Sequence, residues 1–221
     1  NCLINGSTFL DNTADSFGGA IDCNASRLGI FNNQFNFNTA NVGGGLCREI
    51  NATLGYGFNN TFKSNIALTN GSALAWIHAK NISIDSYYFY DNVAGTNGGA
   101  IDWHEGAHNG LINNSVFNDN KANANGGAVF IGGSSGNGTI INSTFNYNHA
   151  GENGGAIDWN STIGKLSGSN FTFNSAKYGG ATFRGANATG GYGYNNIYTS
   201  NYAEINGGAI DWNATGGNIT H

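Results

Sequence analysis

The most specific chemical motif in the sequence is a run of five residues near its middle. His104, Glu105 and His108 fit the pattern H-E-x-x-H, in which two histidines bind zinc and the glutamate acts as a general base. That chemistry needs a helix, because a helical turn brings both histidines to one face. Gly106 lies inside the motif and favours a turn instead. We therefore predict a chance match and assign no catalytic residue, no metal ligand and no cofactor. A surface metal ion held by His104 and His108 stays an alternative.

Three aspartates share the tripeptide Ile-Asp-Trp and could form a carboxylate pair. If copies of this tripeptide stack as strands about 4.8 Å apart, Asp102 and Asp158 are separated by two spacings, or roughly 9.6 Å. Inverting glycosidases need about 6.5–9.5 Å between the carboxyl groups, and retaining ones about 5–5.5 Å. Phe130 would also lie between the two aspartates. We predict that the chain is not an enzyme, and a polysaccharide-active enzyme is the less favoured alternative.

A column of large residues directly follows the aspartate column. It includes four tryptophans, which could stack on sugar rings or simply pack at a corner. Arg48 and Arg184 occupy the same column, which argues that it is not deeply buried. The candidates for glycan stacking are Trp76, Trp103, Trp159 and Trp212.

The sequence contains three cysteines, all in its first quarter. Cys23 and Cys47 follow equivalent glycine pairs in two successive copies of the repeat described below. Neighbouring copies are close enough for a disulfide if the side-chain vectors agree. We predict a Cys23–Cys47 disulfide, with Cys2 left unpaired or paired outside this segment.

These candidate residues sit in a repeat whose first mark is a glycine pair followed by a small and an aliphatic residue. Successive copies start 25 to 28 residues apart. A fixed period of this length is the sequence signature of a repeat architecture. Two copies depart from the mark, since Ser72 replaces the second glycine of one and Thr182 replaces the aliphatic residue of another. The eight copies begin at Gly18, Gly43, Gly71, Gly98, Gly126, Gly154, Gly179 and Gly207.

The second mark is an aromatic residue followed three positions later by asparagine. The asparagine is present in all eight copies, and it precedes the glycine pair by five or six residues. A buried asparagine at a corner can hydrogen-bond turn amides and its equivalents in adjacent copies. We predict that these residues form a structural ladder rather than a catalytic site. They are Asn12, Asn38, Asn65, Asn92, Asn120, Asn148, Asn174 and Asn201.

The repeat predicts a parallel β-helix of about eight coils of 25–28 residues. Each copy holds short apolar runs of β type, and none has a helical period of useful length. One coil of this length fits three short strands and three turns. Stacked coils would line up the Phe, Ile and Ala columns inside the structure. We expect a right-handed coil, because parallel crossovers prefer that hand.

Composition excludes several functional classes. Charged residues are 10 % of the chain against about 25 % in ordinary soluble domains, and the net charge is −5. A basic footprint for nucleic acid is therefore missing. No run of about 18 apolar residues exists, so we predict no transmembrane segment in this chain.

The repeat marks resemble those of chlamydial polymorphic outer-membrane proteins and of the adhesin-like surface proteins of methanogenic archaea. The resemblance covers the whole chain and rests on motifs such as Gly98-Gly99-Ala100-Ile101 and Phe117-x-x-Asn120. It implies an extracellular β-helix on the cell surface that serves in adhesion or surface structure. It carries no catalytic residues over to this sequence.

Fourteen Asn-x-Ser/Thr sequons could accept sugar in a secreted chain. Because Asn, Ser and Thr are abundant, composition alone produces many such matches. The candidates in Gly-rich or irregular inserts are Asn51, Asn137, Asn187 and Asn213. The further candidates are Asn5, Asn24, Asn70, Asn81, Asn160 and Asn218.

Residues 1–221 are thus predicted to be a single β-helix segment, part of a longer repetitive surface protein. The first functional hypothesis is an adhesin-like protein that contacts a cell-surface or glycan ligand. The alternative is a filament or surface-layer subunit that associates with itself end to end, since a β-helix exposes unpaired strand edges.

Overall fold

The computed structural model describes residues 2–220, and these residues form a parallel β-solenoid of about eight coils. They contain strands, turns and bridges but no helix. The sequence prediction of this fold is confirmed, whereas its handedness stays a prediction. Each complete coil has four short strands rather than the three expected, because the run after the ladder asparagine also pairs between coils.

The strands of the first half are β1 (Cys2–Asn5), β2 (Thr8–Leu10), β3 (Ile21–Cys23), β4 (Arg27–Phe31), β5 (Gln34–Asn36), β6 (Thr39–Val42), β7 (Leu46–Arg48), β8 (Leu54–Phe58), β9 (Thr61–Lys63), β10 (Ile66–Asn70), β11 (Leu74–Ile77), β12 (Ile82–Asp85), β13 (Tyr88–Tyr90), β14 (Val93–Ala94) and β15 (Ile101–His104). Those of the second half are β16 (Leu111–Asn113), β17 (Val116–Asn118), β18 (Lys121–Ala122), β19 (Val129–Ile131), β20 (Gly136–Ile141), β21 (Thr144–Asn146), β22 (His149–Ala150), β23 (Ile157–Trp159), β24 (Thr162–Ser167), β25 (Asn170–Thr172), β26 (Ser175–Tyr178), β27 (Thr182–Arg184), β28 (Tyr192–Tyr194), β29 (Ile197–Thr199), β30 (Tyr202–Asn206), β31 (Ile210–Trp212) and β32 (Asn218–Thr220).

Four parallel sheets run along the solenoid, and the chain visits them in the same order in each coil. We number the sheets in that order. Sheet 1 contains β1, β4, β8, β12, β16, β20, β24, β28 and β32, and sheet 2 contains β2, β5, β9, β13, β17, β21, β25 and β29. Sheet 3 contains β6, β10, β14, β18, β22, β26 and β30, and sheet 4 contains β3, β7, β11, β15, β19, β23, β27 and β31.

The repeated aromatic residue forms a stack inside sheet 2. Phe117 lies in register with Phe89 and Phe145, and its ring centroid is 4.6 Å from each of theirs. The phenylalanines of the middle coils are fully buried. One aromatic residue per coil, at the strand spacing, therefore gives a continuous apolar column.

The glycine pair separates sheet 3 from sheet 4, and its two members do different things. The first glycine of each pair has a positive φ, for example +62° at Gly126, which a residue with a side chain rarely adopts. The second glycine lies against the next coil, because a Cβ at Gly127 would overlap the carbonyl oxygen of Gly155. The tight corner thus requires glycine at the first position, and close coil stacking favours it at the second, where Ser72 is the one exception.

Candidate functional site

The ladder asparagines and the aromatic column form one continuous feature, which we call the Phe–Asn corner. The side-chain oxygen of Asn148 accepts bonds from the backbone N–H of Asn120 at 3.1 Å and from its amide nitrogen Nδ2 at 3.0 Å. Asn120 Nδ2 also donates to the carbonyl of Phe89, one coil back, at 3.1 Å. The same pattern runs from Asn12 to Asn201 through equivalent bonds. The corner therefore holds the coils together and satisfies the buried turn amides.

A second polar ladder lies at the other end of sheet 2 and was missed from the sequence. Ser115 Oγ accepts from the backbone N–H of Tyr87, and Ser143 Oγ accepts from that of Ser115, each at 3.2 Å. In earlier coils the side-chain oxygens of Asn33 and Asn60 likewise accept from the backbone N–H of the equivalent residue one coil before. The column mixes Ser, Asn and Tyr two residues before the aromatic position, so a search for one repeated residue type does not find it.

Sheet 4 carries the columns that contain the predicted aspartates and tryptophans, and we call these two columns the Asp–Trp edge. Successive residues of a strand point to opposite faces. The tryptophan column points into the core, and Trp76, Trp103 and Trp159 are at most 2 % exposed. These three side chains therefore cannot form a surface stripe for sugars, and only Trp212 is half-buried.

The two arginines of the tryptophan column are buried as well, contrary to the sequence argument. The Arg48 side chain donates to the carbonyls of Leu28 and Leu54. The Arg184 guanidinium lies between two indoles, 5.1 Å from the ring centroid of Trp159 and 4.8 Å from that of Trp212. Cation–π contact and carbonyl acceptors make an arginine compatible with this interior position.

Glycines on sheet 1 make room for these large side chains. A Cβ at Gly110 would overlap the Trp103 ring, and one at Gly164 would overlap the Trp159 ring. Gly55 lies against Arg48 in the same way. A large residue on sheet 4 is thus paired with a glycine five to seven positions later in the sequence, a signal that could have shown the column to be internal.

The aspartate column lies on the other face of sheet 4. Asp102, Phe130, Asp158 and Phe183 are in consecutive register, so a phenylalanine separates the two carboxylates. Both aspartates are 1 % exposed. Burial raises the pKa of Asp158 well above its usual value, and so favours the protonated form. A pair of buried carboxyl groups with an intervening aromatic ring is a poor arrangement for polysaccharide hydrolysis.

The H-E-x-x-H segment is the end of a strand followed by a turn. His104 closes β15, Glu105 has a φ of 56°, and His108 pairs with Lys80 and Gly136 in isolated bridges. The His104 ring instead lies 3.3 Å (Nδ1) from Asp102 Oδ2 and 3.6 Å (Nε2) from Glu105 Oε1. The helical arrangement of the zinc peptidases is therefore not formed by this segment.

Titration in this cluster follows from those contacts. Burial raises the pKa of Asp102, and contact with His104 offsets part of that rise. The contact with Asp102 raises the pKa of His104, against the opposing effect of burial. The imidazole thus carries positive charge more readily than a free histidine.

Cys23 and Cys47, predicted to be bridged, occupy opposite faces of sheet 4. Cys23 is in register with Arg48, whereas Cys47 is in register with Asp22. Cys23 belongs to the inward column and Cys47 to the aspartate column, so their side-chain vectors diverge. All three cysteines lie in the described part of the chain and are free thiols there, so the predicted disulfide is not formed in this structure.

The Cys47 thiol belongs instead to a group of possible metal ligands. One ligand atom from each of Asp22, Cys47 and Glu49 lies within 4.8 Å of the others. Burial raises the pKa of the Cys47 thiol, and the neighbouring Asp22 and Glu49 carboxylates raise it further. The thiol is therefore held in its protonated form.

Most of the predicted glycosylation sites are accessible. Eight of the ten candidates are exposed, namely Asn5, Asn24, Asn51, Asn81, Asn137, Asn187, Asn213 and Asn218. Asn70 and Asn160 are partly buried, and the Asn160 side-chain oxygen lies where a Cβ at Gly185 would sit. Asn137 Nδ2, the atom that a glycan would modify, donates to Asn109 at 3.2 Å. Sugar at Asn137 would therefore replace one bond of a surface asparagine ladder.

Exposed aromatic residues lie on the outer face of sheet 1 both in an early coil, as at Tyr56 in β8, and in a late coil, at Tyr192 in β28. Tyr192 and Tyr194 alternate on one strand, with ring centroids 6.3 Å apart and planes 17° apart. The Lys165 ammonium lies 5.4 Å from the Tyr194 centroid. We call these three residues the Tyr192 platform. Tyr192 is 49 % exposed, and it borders a groove of about 160 Å³ that Asn137, Thr139 and Ile163 also line.

Three stretches of the chain are similar to the repeat of the Chlamydia polymorphic membrane proteins. They are residues 6–24, 114–132 and 142–158, together well under half of the chain. Each stretch spans one Phe-x-x-Asn mark and the glycine pair that follows it. The similarity supports a β-helix repeat of this type, and it concerns the repeat of a membrane protein rather than of an enzyme.

Comparison with curated proteins and with solved structures finds no match for the chain. Within residues 2–220, no helix has the length and apolar character needed to cross a membrane.

Proposed function

We propose that this chain is a stretch of an extracellular, adhesin-like β-helix on a cell surface, and that it contacts glycan through the Tyr192 platform. The observation that carries the proposal is the platform itself. It presents the exposed ring of Tyr192 and the Lys165 ammonium beside a groove, with the half-buried ring of Tyr194 next to them on the same sheet. The similarity to the Chlamydia polymorphic membrane protein repeat supports the surface location.

The chemistry of the platform suits a sugar better than an apolar partner. Aromatic rings present apolar faces on which the C–H face of a sugar ring can stack, and tyrosine hydroxyls hydrogen-bond sugar hydroxyls. Around the rings, Asn137 and Thr139 add amide and hydroxyl groups. A few placed polar groups on an aromatic floor are typical of small-molecule binding sites.

A glycan array tests the ligand class. The purified chain is expected to bind a subset of glycans, and the double variant Tyr192→Ala/Tyr194→Ala is expected to lose that binding. Tyr88→Ala/Tyr90→Ala is the matched control, because these tyrosines also alternate on one strand with centroids 6.3 Å apart. Equal loss in both double variants, or binding that neither alters, would remove the platform from the proposal.

Surface location is tested separately. Antibodies raised against the purified chain are expected to label intact source cells, and brief protease treatment of those cells is expected to remove the label. Label that appears only after permeabilisation would contradict the location and leave the glycan result standing.

A further inference from the structure

We propose that His78, His104 and Glu105 bind a divalent transition-metal ion between two adjacent coils. The inference does not depend on the glycan function. It rests on three short contacts, Asp102–His104, His104–Glu105 and Glu105–His78, at the C-terminal ends of β11 and β15. The chemical class of the ligand is a cation such as Zn²⁺, Ni²⁺ or Cu²⁺, for which imidazole is a preferred donor.

The fold brings the two histidines together from different coils. β11 and β15 pair in register, with Ile77 opposite His104. His78 directly follows β11, and Glu105 directly follows β15. The residue that follows each strand, His78 or Glu105, therefore lies over the same part of the surface.

The Glu105 carboxylate lies between the two imidazoles. Its Oε2 is 3.8 Å from His78 Nε2, and its Oε1 is 3.6 Å from His104 Nε2. An ion with ligand bonds of about 2.0–2.2 Å needs these atoms to converge on one point. The two contacts use different oxygens of Glu105, and the three donor atoms do not all lie within 4.8 Å of one another, so an ion requires His78 and Glu105 to rotate toward it. Their side chains are 47 % and 51 % exposed, which leaves space for that rotation.

Asp102 fixes the third ligand from behind. Its Oδ2 is 3.3 Å from His104 Nδ1, and His104 Nε2 faces Glu105 on the other side of the ring. Asp102 is 1 % exposed, and neither its Oδ1 nor His104 Nδ1 has a hydrogen-bond partner among the described residues. A carboxylate behind the distal nitrogen of a histidine is the usual arrangement around metal-bound imidazole, where it orients the ring and increases its basicity. Asp102 is thus a positioning residue, and the ligands are His78, His104 and Glu105.

Binding follows a balanced exchange. When His104 carries both ring protons, the ion displaces the proton on Nε2 to solvent, and the proton on Nδ1 stays facing Asp102. A carboxylate oxygen of Glu105 and a ring nitrogen of His78 are the other two ligand atoms. Three protein ligands leave a coordination position for water.

The H-E-x-x-H motif and the proposed site share His104 but differ in the second histidine, so single variants can distinguish them. H-E-x-x-H joins His104 to His108, whereas the structure joins His104 to His78. The variants His78→Ala and His108→Ala therefore separate the two arrangements. His149→Ala is a further control, because His149 lies on sheet 3 and contacts Ser175 instead.

The experiment is titration of Zn²⁺, and separately of Cu²⁺, into metal-stripped protein by calorimetry. The full chain carries Asp22→Asn throughout, so that the group around Cys47 contributes less binding. The background protein is expected to bind one equivalent of ion saturably. His78→Ala, His104→Ala and Glu105→Gln are each expected to abolish or strongly weaken that binding, and His108→Ala and His149→Ala to leave it unchanged. Asp102→Asn is expected to weaken it about 10–100-fold.

Electron paramagnetic resonance of the Cu²⁺ form reports the number of nitrogen ligands, which does not depend on the stability of the variant. Two nitrogen ligands are expected in the background protein, and any copper that His78→Ala still binds at high concentration is expected to show one. No saturable binding of either ion would overturn the proposal, as would binding that survives His78→Ala and Glu105→Gln. Lower melting temperatures in the variants without any metal binding would mean that the contacts are only ion pairs.

Discussion

The Phe–Asn corner and the Asp–Trp edge are built on the same repeat, yet they differ in how they treat buried polar groups. In the corner every coil places an aromatic residue and an asparagine, and each asparagine between the terminal coils bonds to the coils on both sides. In the edge, residue types change from coil to coil, from Asp and Trp to Cys, Phe, Ile and Arg. Identical side chains in successive coils can hydrogen-bond to one another in the same way along the whole column. Where the residue type changes, each polar group needs a hydrogen-bond partner in its own coil.

The edge accordingly contains four of the nine buried side-chain atoms that lack a hydrogen-bond partner among the described residues. They are Asp102 Oδ1, Asp158 Oδ1, Trp159 Nε1 and Arg48 Nε. Native proteins pair most buried polar groups, so a cluster of exceptions needs an explanation. We infer that the corner supplies stability and that the edge is where the repeat tolerates variation and can host a binding site.

Breaking the corner is expected to have the largest effect. Asn120→Leu removes the acceptor of Asn92 and the donor to Phe89, both of them buried. Since each unpartnered buried group costs about 1–3 kcal/mol and two are created, we expect a loss of about 2–6 kcal/mol in the free energy of unfolding, measured in urea. Asn146→Leu, a half-buried outward asparagine of the next coil, is the control and is expected to change little. If both variants lost the same free energy of unfolding, the ladder asparagines would contribute no more to stability than an outward asparagine.

Crowding the edge is expected to cost less. Gly164→Ala places a methyl group against Trp159, so the ring or the strand must shift. Overpacking of this kind costs about 1–3 kcal/mol. Gly193→Ala is the control in the same sheet, because a Cβ there meets nothing closer than 3.5 Å. An unchanged unfolding curve for Gly164→Ala would show that Trp159 does not need its glycine.

The sequence predicts the corner much better than the edge. Each of the eight copies has an aromatic residue and, three positions later, an asparagine. Such constant spacing predicts that the copies stack in register. The fourth strand of each coil escaped prediction because runs such as Val93–Ala94 are too short to show alternation.

The burial of the edge was predicted wrongly for a physical reason. Arginine in a column normally indicates exposure, but Arg48 and Arg184 are buried against carbonyls and indoles. The pairing of His78 with Glu105 was not predictable either, since the two are 27 residues apart and only the register brings them together.

The edge should also make stability depend on pH. Burial raises the pKa of Asp158, so the folded chain keeps a proton that the unfolded chain releases above about pH 4. The free energy of unfolding therefore falls as pH rises through that range. Asp158→Asn cannot ionise, and we expect it to be more stable than the parent at pH 7 and similar to it at pH 4, by thermal melting.

Asp85 gives the comparison of opposite sign. Burial pushes the pKa of Asp85 up, but hydrogen bonds from Ser86, Asn114 and Asn113 outweigh it and hold that pKa below its usual value. Its stabilising effect is present at neutral pH and is lost as pH falls, so Asp85→Asn should destabilise most at pH 7. If Asp158→Asn behaved in the same way, the Asp158 carboxyl would be ionised in the folded chain.

The smallest expected effect comes from reduction. Because Cys23 points inward and Cys47 outward on paired strands, the two sulfur atoms are on opposite faces of sheet 4. Reductant should therefore leave the melting temperature unchanged, and thiol titration of the unfolded chain should find all three cysteines. A disulfide closing a loop of this size would stabilise by about 3 kcal/mol, so a bridged chain would lose several degrees on reduction. Cys2→Ser separates the two cases, because the exposed Cys2 can pair between molecules without involving the edge.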